Sequence, residues 1–179
     1  NEDGTMSVFN SNRAEQRAGW VEFVTNGKFH STVTIDDRVF ANVEYNLGDG
    51  TKKIILCEFD STFNLDMAKT YTGSSGVFDV SADFNNGAVL RVVNGNNYIG
   101  EFTVASGNIN VSSVDASLSS AEIGYNFDVE LKTNPIDAQV TNGPITGIPR
   151  GIDTVYLDLN NSLAAKVNNT ALIIRNVTD

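Results

Sequence analysis

A two-residue alternation of apolar and polar side chains, broken at short intervals by turn residues, constrains this chain more than any other feature. Residues 17–24, 28–35, 38–46 and 52–60 each alternate in this way and are rich in Val, Ile, Phe, Tyr and Thr. Successive side chains of a strand point to opposite faces, so the pattern gives one face to a core and the other to water. No stretch carries convincing helical periodicity; residues 162–166 fit a single helical turn or a strand equally well. Turn chemistry separates the strands. Asn26-Gly27 tolerates positive φ at both central positions of a hairpin turn, Gly48-Asp49-Gly50 offers similar chemistry, and Asp36-Asp37 reads as a tight turn between two β segments. Four sequential antiparallel strands of this length predict one meander sheet, the size of a propeller blade.

The composition shifts near residues 71–76, where Thr72-Gly73-Ser74-Ser75-Gly76 reads as a linker. The expected organisation is all-β, with a propeller-blade-like antiparallel sheet over residues 1–72 and a small β-sandwich or barrel over 73–179. Strands in the second part are expected at 88–93, 98–105, 108–111, 125–132, 154–159 and 171–176, with turns at residues 94–97 and at Ser106-Gly107. Residues 134–151 hold all three prolines and a cluster of glycines, and predict a long exposed loop of the kind that carries function or an interface.

A chain of 179 residues that is 41% apolar has enough material for one or two domains with a real core, and its apolar residues are too evenly spread for a membrane span. Its 22 acidic and 12 basic side chains leave a formal charge of −10 without a basic stripe, which argues against specific capture of duplex nucleic acid. A negative wall would let DNA slide past, although ordinary solubility accounts for the same charge. Cys57 is the only cysteine, so it has no intrachain disulfide partner and no cysteine-based zinc site; its neighbours predict a small buried hydrophobe on a strand. No stretch near the start combines a basic segment, an apolar run and a small-residue cleavage site, and the Asn-x-Ser/Thr strings at Asn110, Asn160, Asn168 and Asn176 read as turn residues. Assembly in the cytoplasm is the expectation.

Catalytic constellations are weak. His30 is the sole histidine, lies in an alternating strand and accompanies no Gly-x-Ser-x-Gly motif, which makes it a structural residue. Glu22, Glu44, Glu58 and Glu130 are placed on strands where they alternate with apolar neighbours, as a solvated face does, and do not read as a glycosidase pair. The oxygen-rich residues 1–5 and Asp49-Gly50 lack the spacing of a calcium loop. No catalytic residue, cofactor or metal is expected, and the chain does not read as an enzyme. Trp20, Phe23, Phe29, Phe40, Tyr45 and Phe59 are expected to pack a core, in which case Trp20→Ala would cost about 3–5 kcal/mol. The alternative turns Trp20, Phe23 and Tyr45 toward a ligand such as a sugar.

Several phrases in order resemble the tail nozzle (tail tubular protein B-like) family of short-tailed bacteriophages. They begin with Asp3-Gly4-Thr5, the strand 6–9, Trp20 and Thr25-Asn26-Gly27, and continue with Glu58-Phe59-Asp60 and Thr72-Gly73. The series then runs through residues 124–127, Leu131 to Pro135, the glycine-containing loop 143–151 and the strand 155–159. The resemblance implies a structural virion protein: part of a sixfold ring below an adaptor, with tail fibres outside and a central channel for genome ejection. DNA would pass transiently without specific binding, no membrane would be entered, and the protein would reside in the phage tail after assembly in the host cytoplasm. The family often has a Lys-Arg-rich stretch before the position of Thr154, where this chain offers only Arg150, so a basic loop in subunit contact is not implied. One blade cannot close a ring of blades, so the chain is expected to be a piece of a longer polypeptide. A carbohydrate- or receptor-binding β module of a tail or cell surface is the leading alternative, and an enzyme accessory domain a weaker third.

Overall fold

The computed structural model describes residues 2–12, 17–127, 129–130, 139–140, 143–144, 154, 156 and 165–172. Every regular element among them is a β-strand, paired antiparallel throughout, and no sheet closes into a barrel. The chain divides into two units, residues 1–128 and 129–179.

The first unit starts with a hairpin of β1 (Met6–Asn12) and β2 (Arg17–Phe23). A meander follows of β3 (Lys28–Ile35), β4 (Arg38–Asn46) and β5 (Lys52–Glu58). The expected four-stranded blade is therefore a three-stranded sheet and a separate hairpin, because β2 pairs with β1 and not with β3. The Asp36-Asp37 turn matches expectation: both residues sit at positive φ, 47° and 62°, and close a two-residue hairpin between Ile35 and Arg38. Gly27 serves another purpose. Its φ is not positive; a Cβ there would lie 2.3 Å from the Glu44 carbonyl oxygen, so glycine answers to the close passage of β4.

The remaining strands of this unit are β6 (Asp66–Thr72), β7 (Val77–Asp79), β8 (Val89–Asn94), β9 (Asn97–Thr103), β10 (Asn108–Asn110) and β11 (Ser120–Tyr125). They form a four-stranded sheet in the order β6-β11-β8-β9 and a small β7-β10 ladder. A duplication organises them. Residues 74–81 (SSGVFDVS) recur as 105–112 (ASGNINVS), and each copy makes the same structure. Ser75-Gly76 and Ser106-Gly107 are left-handed turns, closed by the bridges Ser74↔Val77 and Ala105↔Asn108. Val80 N–H donates to the Gly107 carbonyl at 2.9 Å, and Val111 N–H to the Gly76 carbonyl at 2.7 Å, so each copy reaches into the turn of the other. Exchanging β6 with β9 and β8 with β11 reproduces the strand order read backwards. Two β-turn-β-turn-β repeats are thus swapped about a pseudo-twofold axis.

One core joins the meander to this pair of repeats. Ala41, Val43 and Tyr45 on one face of β4, with Leu47 just beyond its end, pack with Phe78, Val80, Phe84, Leu90, Val92, Ile109, Val111 and Ile123, all buried. Residues 72–76 are consequently a tight turn tied to the repeats and no linker: Gly73 N–H donates to the Ser119 carbonyl, and a Cβ on Gly73 would lie 2.2 Å from the Val77 carbonyl oxygen. The division of the chain falls after residue 128 and not after 72, because β6 pairs with β11 and the β4 face needs the repeats to cover it. The strand expected at 125–132 is displaced to β11, which ends at Tyr125.

In the second unit, β12 (Gln139–Val140) pairs with β13 (Gly143–Pro144), and β14 (Lys166–Val167) with β15 (Thr170–Ala171) through left-handed Asn168 and Asn169. A short hairpin thus occupies part of the expected loop 134–151. The rest of that loop, and the strands expected at 154–159 and 171–176 apart from Thr154, Tyr156, Ala171 and Leu172, lie outside the described residues.

Candidate interaction surface

The six aromatics grouped by sequence separate in space. Tyr45 is 1% exposed and cannot face a ligand. Its hydroxyl donates to Asp66 Oδ1 at 2.6 Å, while the Thr25 hydroxyl and the Asn26 N–H bind Asp66 Oδ2 at 2.6 and 2.8 Å. Burial and the neighbouring Asp66 carboxylate push the Tyr45 phenol far above its ordinary range, which keeps it a donor. This knot ties the end of the β1-β2 hairpin to the start of β6. Phe29 stacks on Phe59, with ring centroids 6.1 Å apart, and Phe23 leans on Phe59 at 5.9 Å, only partly covered.

Trp20 is 72% exposed, so it is not the core residue expected from its pattern. Among the described residues its aromatic neighbour is its cross-strand partner Phe9, at 5.0 Å, itself more than half exposed. An isolated two-stranded hairpin has no second layer to cover both faces, so alternation along β2 does not bury its large side chains. The start of β1 is tethered: the Gly4 carbonyl accepts the Phe29 N–H at 2.9 Å, and the Thr5 hydroxyl bonds Glu22 at 2.8 Å.

A second apolar surface covers the outward face of the meander. Cross-strand register places Val33, Ile35, Phe40, Ile54 and Leu56 on that face, opposite to the buried Ala41, Val43 and Tyr45. Charged residues frame it. Arg38 makes a bidentate pair with Glu58, and Glu44 accepts from Lys52 at 3.2 Å with His30 Nε2 at 3.5 Å on its other oxygen. The Lys52 contact holds the Glu44 carboxyl below its usual range, and the Arg38 contact does the same for Glu58.

Of the groups that sequence singles out for chemistry, His30 and Glu44 meet, at 3.5 Å, and the others are held by different partners. Glu22 bonds Thr5, Glu44 and Glu58 are each tied to cations, and Glu130 lies outside any strand. Cys57 is half-buried, with its thiol pushed up by burial. Among the described residues no three His, Cys, Asp or Glu side chains lie close enough to share a metal ion. Two open clefts are present. One of about 270 Å³ is lined by Thr5, Ser7, Phe29 and His30, and one of about 510 Å³ by Asp49, Ser81, Phe84, Asn85 and Ser106. The first cleft sets Ser7 and Ser31 in the same lining as His30, and the second sets Ser81 and Ser106 in the same lining as Asp49. The duplication has a sequence signal of its own, the pattern Ser-Gly-x-Phe/Ile-Asp/Asn-Val-Ser written twice, which strand alternation does not reveal.

No family model matches the chain, and no curated protein or solved structure is significantly similar to it.

Proposed function

We propose that the chain is a structural module of a bacteriophage tail nozzle, part of the conduit for genome ejection and an attachment site for other tail parts. The observation that carries this reading is the outward placement of large apolar side chains on two elements, the Phe9-Trp20 pair on one face of the hairpin and Ile35, Ile54 and Leu56 on the outward face of the meander. A protein that acts alone in water rarely displays contiguous apolar faces, whereas a subunit covered by its neighbours does. The ordered series of tail-nozzle-like phrases supports the same reading. The mechanism is mechanical: cyclic packing of β modules makes a tube, self-association and contacts with an adaptor and tail fibres hold it, and a conformational change opens it. A net charge of −10 gives passing DNA no phosphate trap. The protein belongs to the virion in this reading, assembled in the host cytoplasm, and needs no cofactor.

Negative-stain electron microscopy of the assembled protein tests the proposal. Sixfold rings with an open or gated centre are the expected result; monodisperse single particles or trimeric stalks would overturn it.

The exposure of Trp20 favours one second reading, a carbohydrate- or receptor-binding module, because an open indole face beside Phe9 is the kind of platform on which a sugar ring stacks. Binding of host polysaccharide that disappears in Trp20→Ala at unchanged melting temperature would select it over the conduit.

A further inference from the structure

Among the described residues, β5 has no neighbouring strand on its far side. Its hydrogen-bond phase reveals what that side offers. Leu47 N–H donates to the Thr51 carbonyl and Phe59 N–H to the Val39 carbonyl, both at 2.9 Å, in the register that sets Tyr45 opposite Lys53, Val43 opposite Ile55 and Ala41 opposite Cys57. Bonded and non-bonded pairs alternate in an antiparallel ladder. Lys53, Ile55 and Cys57 therefore turn their backbone groups toward β4, while Lys52, Ile54, Leu56 and Glu58 turn theirs away from it. The side chains of these four residues all lie on the outward face, where Ile54 is 58% and Leu56 64% exposed. Along the free edge the order is basic, apolar, apolar, acidic. Reversed, it is its own complement.

We propose that β5 pairs antiparallel with β5 of a second copy of this chain, about a twofold axis through Ile55. That register sets Lys52 opposite Glu58 and Ile54 opposite Leu56, each twice, with the outward N–H and C=O groups of all four residues supplying the ladder. A twofold through Ile54 would place Lys52 against Leu56, and one through Leu56 would place Ile54 against Glu58. Only the Ile55 axis among these matches charge with charge and apolar with apolar. It also joins the existing ion pairs, Arg38 with Glu58 and Glu44 with Lys52, into two rows of alternating sign across the joint. The opposite edge of the sheet is a poorer template, because β3 is broken by a register shift between Phe29 and Ser31. The contact is isologous and so differs from the heterologous contacts that build a ring; it does not rest on the conduit reading.

Sedimentation of the full chain, with directed crosslinking, tests the pairing. The chain should dimerise with rising concentration, Glu58→Lys should weaken the dimer about tenfold by setting like charges opposite each other, and adding Lys52→Glu should restore it. In a Cys57→Ser background, Ile55→Cys should give a disulfide-linked dimer with oxidised glutathione, because non-bonded partners on the axis approach closely. Ile54→Cys should stay unlinked, since position 54 faces position 56. A monomer at every concentration, a charge swap that fails to restore the dimer, or equal crosslinking at 54 and 55 would overturn the proposal. A ladder of higher species would also overturn it while leaving ring assembly standing. Sedimentation of the unaltered chain and the charge swap decide the matter even if Ile55→Cys fails to fold.

Discussion

Two aromatic residues on alternating segments meet opposite fates, and the difference is testable residue by residue. Trp20 is largely exposed and leans on Phe9, so Trp20→Ala should cost about 1 kcal/mol in denaturant unfolding, the size of one surface aromatic pair. Tyr45→Phe, which removes one hydroxyl, should cost more, about 1–3 kcal/mol, because it leaves the partly buried Asp66 and Thr25 short of a partner. Sequence alone supports the reverse ranking, since alternation says that one face is covered but not by what. Asp79 illustrates a quieter kind of residue-level logic. The Ser81 hydroxyl and N–H, at 2.6 and 3.0 Å, hold its carboxyl below the ordinary range. A group whose folded pKa lies below its unfolded one stabilises the fold above the unfolded value, and that contribution fades as pH falls through the folded one. At the duplicated position Asn110 makes the same two bonds to Ser112 at 2.7 and 3.0 Å without a titrating group. Asp79→Asn should accordingly leave stability at neutral pH unchanged and make the loss on acidification below about pH 4 shallower, as measured by denaturant midpoints across that range.

Individual elements were more legible than their neighbours. Strands β3, β4 and β5 could be read almost to the residue, because each alternates cleanly and ends in a recognisable turn. Asp36-Asp37 belongs to a turn type that prefers Asn-Gly, so replacing both together should stabilise the hairpin by about 0.5–1 kcal/mol in thermal unfolding. The hairpin β1-β2 and strand β6 were harder. Nothing in an alternating pattern states which strand it pairs with, and β6 carries left-handed Met67 and a bulge opposite β11 that blur its period. The short β7 was invisible because Gly73, Ser74, Ser75 and Gly76 look like a linker when read singly. Read as one copy of a repeated Ser-Gly-x-Phe/Ile-Asp/Asn-Val-Ser unit, the same residues announce a structured turn.

At the scale of the whole molecule, the common core fixes what can stand alone. The inner face of β4 is covered by the repeats, so residues 1–128 should fold as one cooperative unit by circular dichroism and thermal melting. A piece covering 73–179 should fail, having lost β6 and the β4 face together. The interaction surface follows from the same arrangement: the core consumes one face of the meander and leaves the other face, with the hairpin, to be covered by something else. Neither surface could have been assigned from sequence, because exposure is a property of the layers above a strand and not of the strand. The central claim is that these exposed side chains are covered on assembly, and Trp20, the only tryptophan, reports on it directly. The decisive measurement is its fluorescence and acrylamide quenching in the free chain and in the assembled particle. A water-exposed, readily quenched indole in the free chain that shifts to the blue and becomes protected on assembly is the expected result; an indole already protected in the free chain, or equally quenched in both states, would rule out covering of this face on assembly.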